Sequence, residues 1–174
     1  MPLTAVYGLR YPALSDDPNV PEDLQHLAED VETQIFRLDA RRPRRLPQAF
    51  LTTDYTTTTS EADLAGASLT FTTNGPNAIA EVHAVYECRA ITAGFGYIRC
   101  RMTIDGVTHT REVLFTAPSV ETRATVNLDL DITLASAGSH TIQLRALKTI
   151  AAGNAAIVGG STGATNISIT LYDS

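Results

Sequence analysis

The chain has 174 residues, 44% of them apolar, which is enough to bury a core and too apolar for wholesale disorder. Lys and Arg number 13 against 19 Asp and Glu, a net charge of −6, which excludes a general binder of nucleic acid or of an anionic membrane. Trp is absent and the other aromatics are few, so a stacking platform for bases or sugars is not expected.

No basic stretch followed by an apolar one opens the sequence, and no apolar run approaches the ~20 residues that span a bilayer, so folding in a cytoplasm is expected. Residues 1–20 read as an extended segment. Pro2, Pro12 and Pro18 fix φ and bias the residues before them away from helix. Its apolar residues Tyr7, Leu9, Tyr11 and Leu14, with Pro12 among them, have no core of their own to enter. They are expected to order only against another surface, as an anchor.

Residues 21–40 read as a helix. Pro21 suits the first turn, and Glu22 and Asp23 suit the positive end of the helix dipole. Leu24, Leu27, Val31, Ile35 and Leu38 recur at helical spacing, with charge on the opposite face. A lone helix of this length is marginal in water, so the stripe needs a partner. That partner is either the rest of this chain or further copies of the helix. Residues 41–48, RRPRRLPQ, favour the second, because two prolines stiffen an extended linker that would hold the helix away. Arg41, Arg42, Arg44 and Arg45 in that linker read either as solvated charge after an acidic helix or as a docking element for an acidic protein surface.

From residue 49 to 174 the period is two. QAFLTTDYTTTT gives a first strand running into a Thr-rich stretch, and ASLTFTT ends at Asn74-Gly75-Pro76, a turn signal. NAIAEVHAVYEC sets Ala80, Val82, Ala84, Tyr86 and Cys88 on one face. Asp105-Gly106 sits between two strand patterns, the signature of a two-residue hairpin. In VETRATVNLDLDITL one face is dry and the other wet. HTIQLRAL returns as a strand, residues 151–164 read as a long small-residue loop or a loose edge, and TNISITLYD closes the chain with Ile167, Ile169 and Leu171 on one face. About eight strands separated by turns imply a mainly β fold, an antiparallel β-sandwich of jelly-roll type, behind the extended anchor and the one short helix.

Chemistry is not evident. His26, His83, His109 and His140 fall in no metal-ligand spacing, and no HExxH, CxxC, GxSxG or phosphate-binding loop is present. Asp129 and Asp131 share a strand face and read as a solvated edge rather than a calcium site. Cys88 and Cys100 are too few for a disulfide framework and read as two small buried hydrophobes on neighbouring strands, open to a disulfide only in an oxidising environment. No enzyme activity, cofactor or metal is expected.

The lead YGLRYP followed by DDPNVPEDLQHLAEDVE resembles the N-terminal segment of small virion proteins of tailed bacteriophages, especially actinobacterial ones, usually described as minor tail, tail-fibre or head-fibre proteins. GSHTIQLRAL is similar to strands of β-sandwich heads in such fibres. The resemblance implies attachment through the lead, oligomerisation through the helix, most readily as a homotrimer, and display of the β-domain. The partners it implies are sister copies, other tail or capsid proteins and a host surface, with no nucleic acid or membrane, and the location is the virion. It leaves a capsid decoration protein open beside a tail component. A lectin-like β-sandwich is the competing class.

Overall fold

A computed structural model of the chain describes residues 20–40, 42–117, 119–160 and 164–173, with the helix side chains described from 22 to 35. The chain divides into two compact units, Met1–Arg42 and Pro43–Ser174. The first contains a single described element, helix α1, Val20–Ala40, with Glu22 and Asp23 in its first turn.

In the second unit the eight principal strand positions fall into two antiparallel sheets. In the first sheet β5 (Ala78–Ala90) is flanked on one side by β9 (Arg123–Leu134) and on the other by β12 (Asn166–Tyr172) and, further along, β11 (Ala155–Ile157). The outer position beyond these is filled in pieces: β1 (Arg44–Arg45) and β2 (Ala49–Phe50) pair β12, and β3 (Tyr55–Thr56) pairs β11. Between β1 and β2 the register against β12 shifts by one residue, from Arg45 opposite Thr170 to Ala49 opposite Ile167, which separates the two strands. In the second sheet β10 (Gly138–Lys148) lies between β4 (Ala62–Thr73) and β6 (Ile98–Ile104), and β6 pairs β7 (Val107–Thr108) and β8 (Val113–Phe115). The spatial order is therefore β1/β2–β12–β5–β9 facing β4–β10–β6–β8. Successive long strands alternate between the sheets in the double Greek-key order of a jelly roll.

The expected alternation sets the core. Ala80, Val82, Ala84, Tyr86 and Cys88 of β5 face inward with Leu128, Leu130, Ile132 and Leu134 of β9, and meet Ile98, Cys100, Met102, Ile142, Leu144 and Ala146 of the facing sheet. The Tyr86 hydroxyl, buried in this core, donates across it to the Arg101 carbonyl. Burial pushes its pKa well above the ordinary value. Asp105 and Gly106 both take positive φ, 50° and 80°, which is the type I′ geometry that closes the β6–β7 hairpin as expected.

Three expectations are revised. Residues 41–48 are not a free spacer along their length: Arg44 pairs Leu171, Arg45 pairs Thr170, and the Leu46 N–H donates to Ile169 at 2.9 Å. An unpaired edge of β12 is available there, and extended backbone rich in φ-fixing proline suits it. Residues 151–164 are not a loose loop throughout, since Ala155, Ala156 and Ile157 form buried β11 between β3 and β5. Cys88 and Cys100 are not neighbours within one sheet; they face each other from opposite sheets.

Candidate functional site

In α1, Leu24, Leu27, Val31 and Ile35 lie on one face, and they are 61%, 40%, 40% and 54% exposed. Gln25 donates to Glu29 at 3.0 Å and Thr33 to the Glu29 carbonyl at 2.8 Å, so polar contacts of helical spacing occupy other positions of the same helix. Leu38 lies within α1, but its side chain falls outside the described residues, as do Tyr7, Leu9, Tyr11, Pro12, Leu14 and Arg41. Arg42 and Arg45 are exposed. Arg44 is engaged inside the β-unit: it donates to the Thr72 carbonyl at 2.8 Å and stands 3.7 Å from Asp173. Asp173 in turn accepts from the Asn74 backbone at 3.2 Å and side chain at 3.4 Å. Arg44 thus takes part in a clasp that joins the start and end of the β-unit to the β4–β5 turn.

The jelly roll has two ends. One carries that clasp, the β4–β5 turn, the β6–β7 hairpin and the β9–β10 turn. The other carries the β5–β6, β8–β9 and β10–β12 connections and the Thr-rich stretch before β4. This far end is braced by backbone hydrogen bonds. Thr92 donates to Asn154 at 2.9 Å, Thr149 to Tyr97 at 3.0 Å and Lys148 to Thr58 at 2.8 Å. Lys148, pointing into the dry face of β10, satisfies its ammonium on the carbonyls of Ala151 and Gly153. Exposed Ile150 and Val120 sit on this end.

At the near end a cleft of about 510 Å³ is lined by Asp105, Val107, His109, Ile132, Ser136 and His140 among others. His140 is buried, with Nδ1 2.8 Å from the Asp105 carboxylate and Nε2 3.1 Å from the Ser136 carbonyl. Both partners can only accept, so both ring nitrogens carry protons and the ring is an imidazolium. The bond to Asp105 raises the His140 pKa against the opposing effect of burial. Burial works to raise the Asp105 carboxyl, but the bonds from His140 and from the Thr141 N–H, at 2.7 Å, leave it below its ordinary value. Nε2 faces a main-chain oxygen rather than a hydroxyl, so this pair does not activate a nucleophile. Its geometry is that of a rivet that ties β10 to the β6–β7 and β9–β10 turns.

On the outer face of the β12–β5–β9 sheet, His83 contacts Asp129, and the Tyr172 hydroxyl donates to Glu81 at 3.0 Å beside Asp131. A shallow depression of about 290 Å³ is lined by Glu81, His83, Asp129, Asp131 and Arg111 among others. Among the described residues no cluster of three or more His, Cys, Asp or Glu side chains is arranged to hold a metal ion. The opposite sheet carries a charge lattice: Glu112 takes a bidentate pair from Arg99, at 2.8 and 3.0 Å, and a bond of 2.6 Å from Arg101. Arg145 reaches Asp63 at 2.7 Å and Glu61 at 3.0 Å. The sequence pattern pointed to neither this lattice nor the His140 rivet.

No protein-family model and no curated protein matches the chain. Among solved structures it is similar to the infectious bursal disease virus Gt strain, with a TM-score of 0.39 and 16% identity over 75% of this chain, spanning 32% of that one. It is similar to dimeric latent PorU from Porphyromonas gingivalis at TM-score 0.39 and 11% identity, over 76% of this chain and 14% of that one. The carbohydrate-binding module CBM36 in complex with calcium and xylotriose gives a TM-score of 0.33 and 15% identity, over 71% of this chain and 99% of that one. The chain thus spans about a third or less of the first two matched proteins, and likenesses this distant carry no argument about its role.

Proposed function

We propose that this chain is a non-enzymatic structural protein of a tailed-bacteriophage particle, a homotrimeric knob held by its N-terminal segment and displaying a β-sandwich. The observation that carries the proposal is the stripe of Leu24, Leu27, Val31 and Ile35, left exposed on one face of a 21-residue helix. Spacings of three and four residues suit a short bundle of identical helices, in which each stripe is covered by its sisters. Burying four such side chains per helix stabilises the assembly by about 1.5–3 kcal/mol each at full burial. The resemblance of residues 7–32 to small virion proteins supplies the setting, and joining several weak contacts in one trimer gives firm attachment without any tight single contact.

The β-unit suits display. The incoming strand, the last strand and the β4–β5 turn share one end, so the braced connections at the other end are the part presented. The test is oligomeric state: mass photometry and sedimentation of the full chain at micromolar concentration should give three copies, and Leu27→Glu with Val31→Glu should give one. A wild-type chain that stays strictly monomeric overturns the clamp. Labelled protein located on the particle separates a tail component from a capsid decoration protein.

A further inference from the structure

Cys88 of β5 and Cys100 of β6 are both fully buried, and their sulfurs lie 3.9 Å apart across the core. They belong to different sheets, so a bond between them would join the two layers rather than two strands of one ladder. Within its own sheet each pairs one small and one branched residue: Cys88 lies between Ala124 and Ile157, and Cys100 between Ala146 and Val113. Two residues away, the Tyr86 hydroxyl bonds the Arg101 carbonyl and so already fixes β5 against β6.

We infer that Cys88 and Cys100 are a sealed redox pair, which closes to an inter-sheet disulfide when the chain folds in the presence of a small-molecule disulfide and remains a dithiol when it folds under reducing conditions. A disulfide needs its sulfurs about 2 Å apart, so each side chain moves by roughly 1 Å, within reach of a χ1 adjustment. The chemistry is two successive exchanges. One cysteine thiolate attacks the small disulfide, forming a mixed disulfide and expelling one thiolate, which takes up a proton. The second cysteine thiolate then attacks the protein-side sulfur of that mixed disulfide and expels the other. The two protein thiols lose two electrons and two protons, and the small disulfide becomes two thiols.

Timing follows from burial. Neither sulfur is open to solvent in the folded unit, and the contact with Cys88 together with burial pushes the Cys100 thiol well above its ordinary pKa. Exchange therefore runs while the strands are still apart, and the finished core then keeps the pair in whichever state it acquired.

The test uses the full chain. Unfolded, reduced protein is refolded in a mixture of reduced and oxidised glutathione, then analysed by intact mass and by thiol titration after denaturation. The expected product is a chain lighter by two hydrogens and linked by disulfide to no other chain, with no titratable thiol, whose unfolding midpoint is raised by roughly 5–10 °C through closure of the eleven-residue segment between the cysteines. Folded dithiol protein placed in the same mixture should keep both thiols for far longer than unfolded chain does. Cys100→Ser should yield only a mixed disulfide at Cys88. Refolded wild-type protein with two free thiols, with glutathione still attached, or with chains joined to each other overturns the inference. So does a disulfide that lowers the midpoint, or a folded dithiol that oxidises as fast as the unfolded chain.

Discussion

Replacing Asp105 by Asn changes one charge and almost nothing else. Asp105 has φ 50°, and Asn is among the few residues that tolerate this left-handed backbone. Its amide oxygen can still accept from the Thr141 N–H, now 2.7 Å from Oδ1. The amide NH2 then takes the place of Oδ2 and cannot accept from Nδ1–H, so the bond from the charged ring of buried His140 is lost and only a neutral ring, with Nδ1 accepting, can bond there. A charge-assisted bond contributes about 1.5–3 kcal/mol, and the Asp105 side chain is 46% exposed, so screening brings the expected loss to about 1–2 kcal/mol. In a domain of this size that is a fall of about 3–8 °C in Tm. The pH dependence identifies the cause. The folded His140 pKa is raised, so its contribution is complete below the unfolded value near 6.5 and fades as pH rises through the folded value. The folded Asp105 pKa is lowered, so its contribution is present above the ordinary carboxylate range and fades as pH falls through the folded value. Thermal unfolding followed by circular dichroism at pH 6 and pH 9 should show the variant's deficit at pH 6 and a smaller one at pH 9. The difference between the two proteins cancels the titration of every group that the substitution leaves alone. An equal deficit at both pH values would refute the imidazolium rivet.

Glu112→Gln should cost about 1–2 kcal/mol in urea unfolding at neutral pH, since it removes the charge that Arg99 and Arg101 share. The bond from Arg99 and, after the opposing effect of burial, the bond from Arg101 hold the Glu112 carboxyl below its ordinary value, so the deficit should shrink as pH falls through that lowered value. Leu144→Ala, at a fully buried position between the sheets, should cost about 2–5 kcal/mol, read as a lower urea midpoint at unchanged slope. Gly153→Ala and Gly106→Ala form a paired comparison at φ 70° and 80°. A Cβ at 153 would stand 2.2 Å from the Ala93 carbonyl oxygen, whereas one at 106 meets open space. Thermal unfolding should show the first losing clearly more than the ~1 kcal/mol expected of the second; equal losses would mean that the β5–β6 and β10–β11 connections are not held together as described.

The jelly roll was legible because its strands alternate cleanly. The inward faces of β5 and β9 follow directly from residues 80–88 and 128–134, and the β6–β7 turn follows from Asp105-Gly106. Alternation says which face is dry but not which sheet a strand joins, so Cys88 and Cys100 were placed side by side instead of face to face. It also understated β10, where the dry face runs His140, Ile142, Leu144, Ala146, Lys148. Polar residues bracket that run, and only the tertiary fold supplies the Asp105 carboxylate and the Gly153 carbonyl that make their burial tolerable. Short strands such as β1 and β11 are not legible in the sequence because two or three residues carry no period. The Glu112 lattice draws on residues far apart in sequence, and spacing alone could not gather them. The helix stripe depends on a wholly local pattern, and Leu24, Leu27, Val31 and Ile35 stand together on one face of α1.

The Arg44–Asp173 clasp has a practical corollary for engineering. With β1 and β12 side by side, a reporter or affinity tag grafted behind the final residues would emerge next to Arg44 and Arg45 and crowd the clasp. A graft in the opposite loops, where residues 119–122 lead into β9, would leave the clasp untouched.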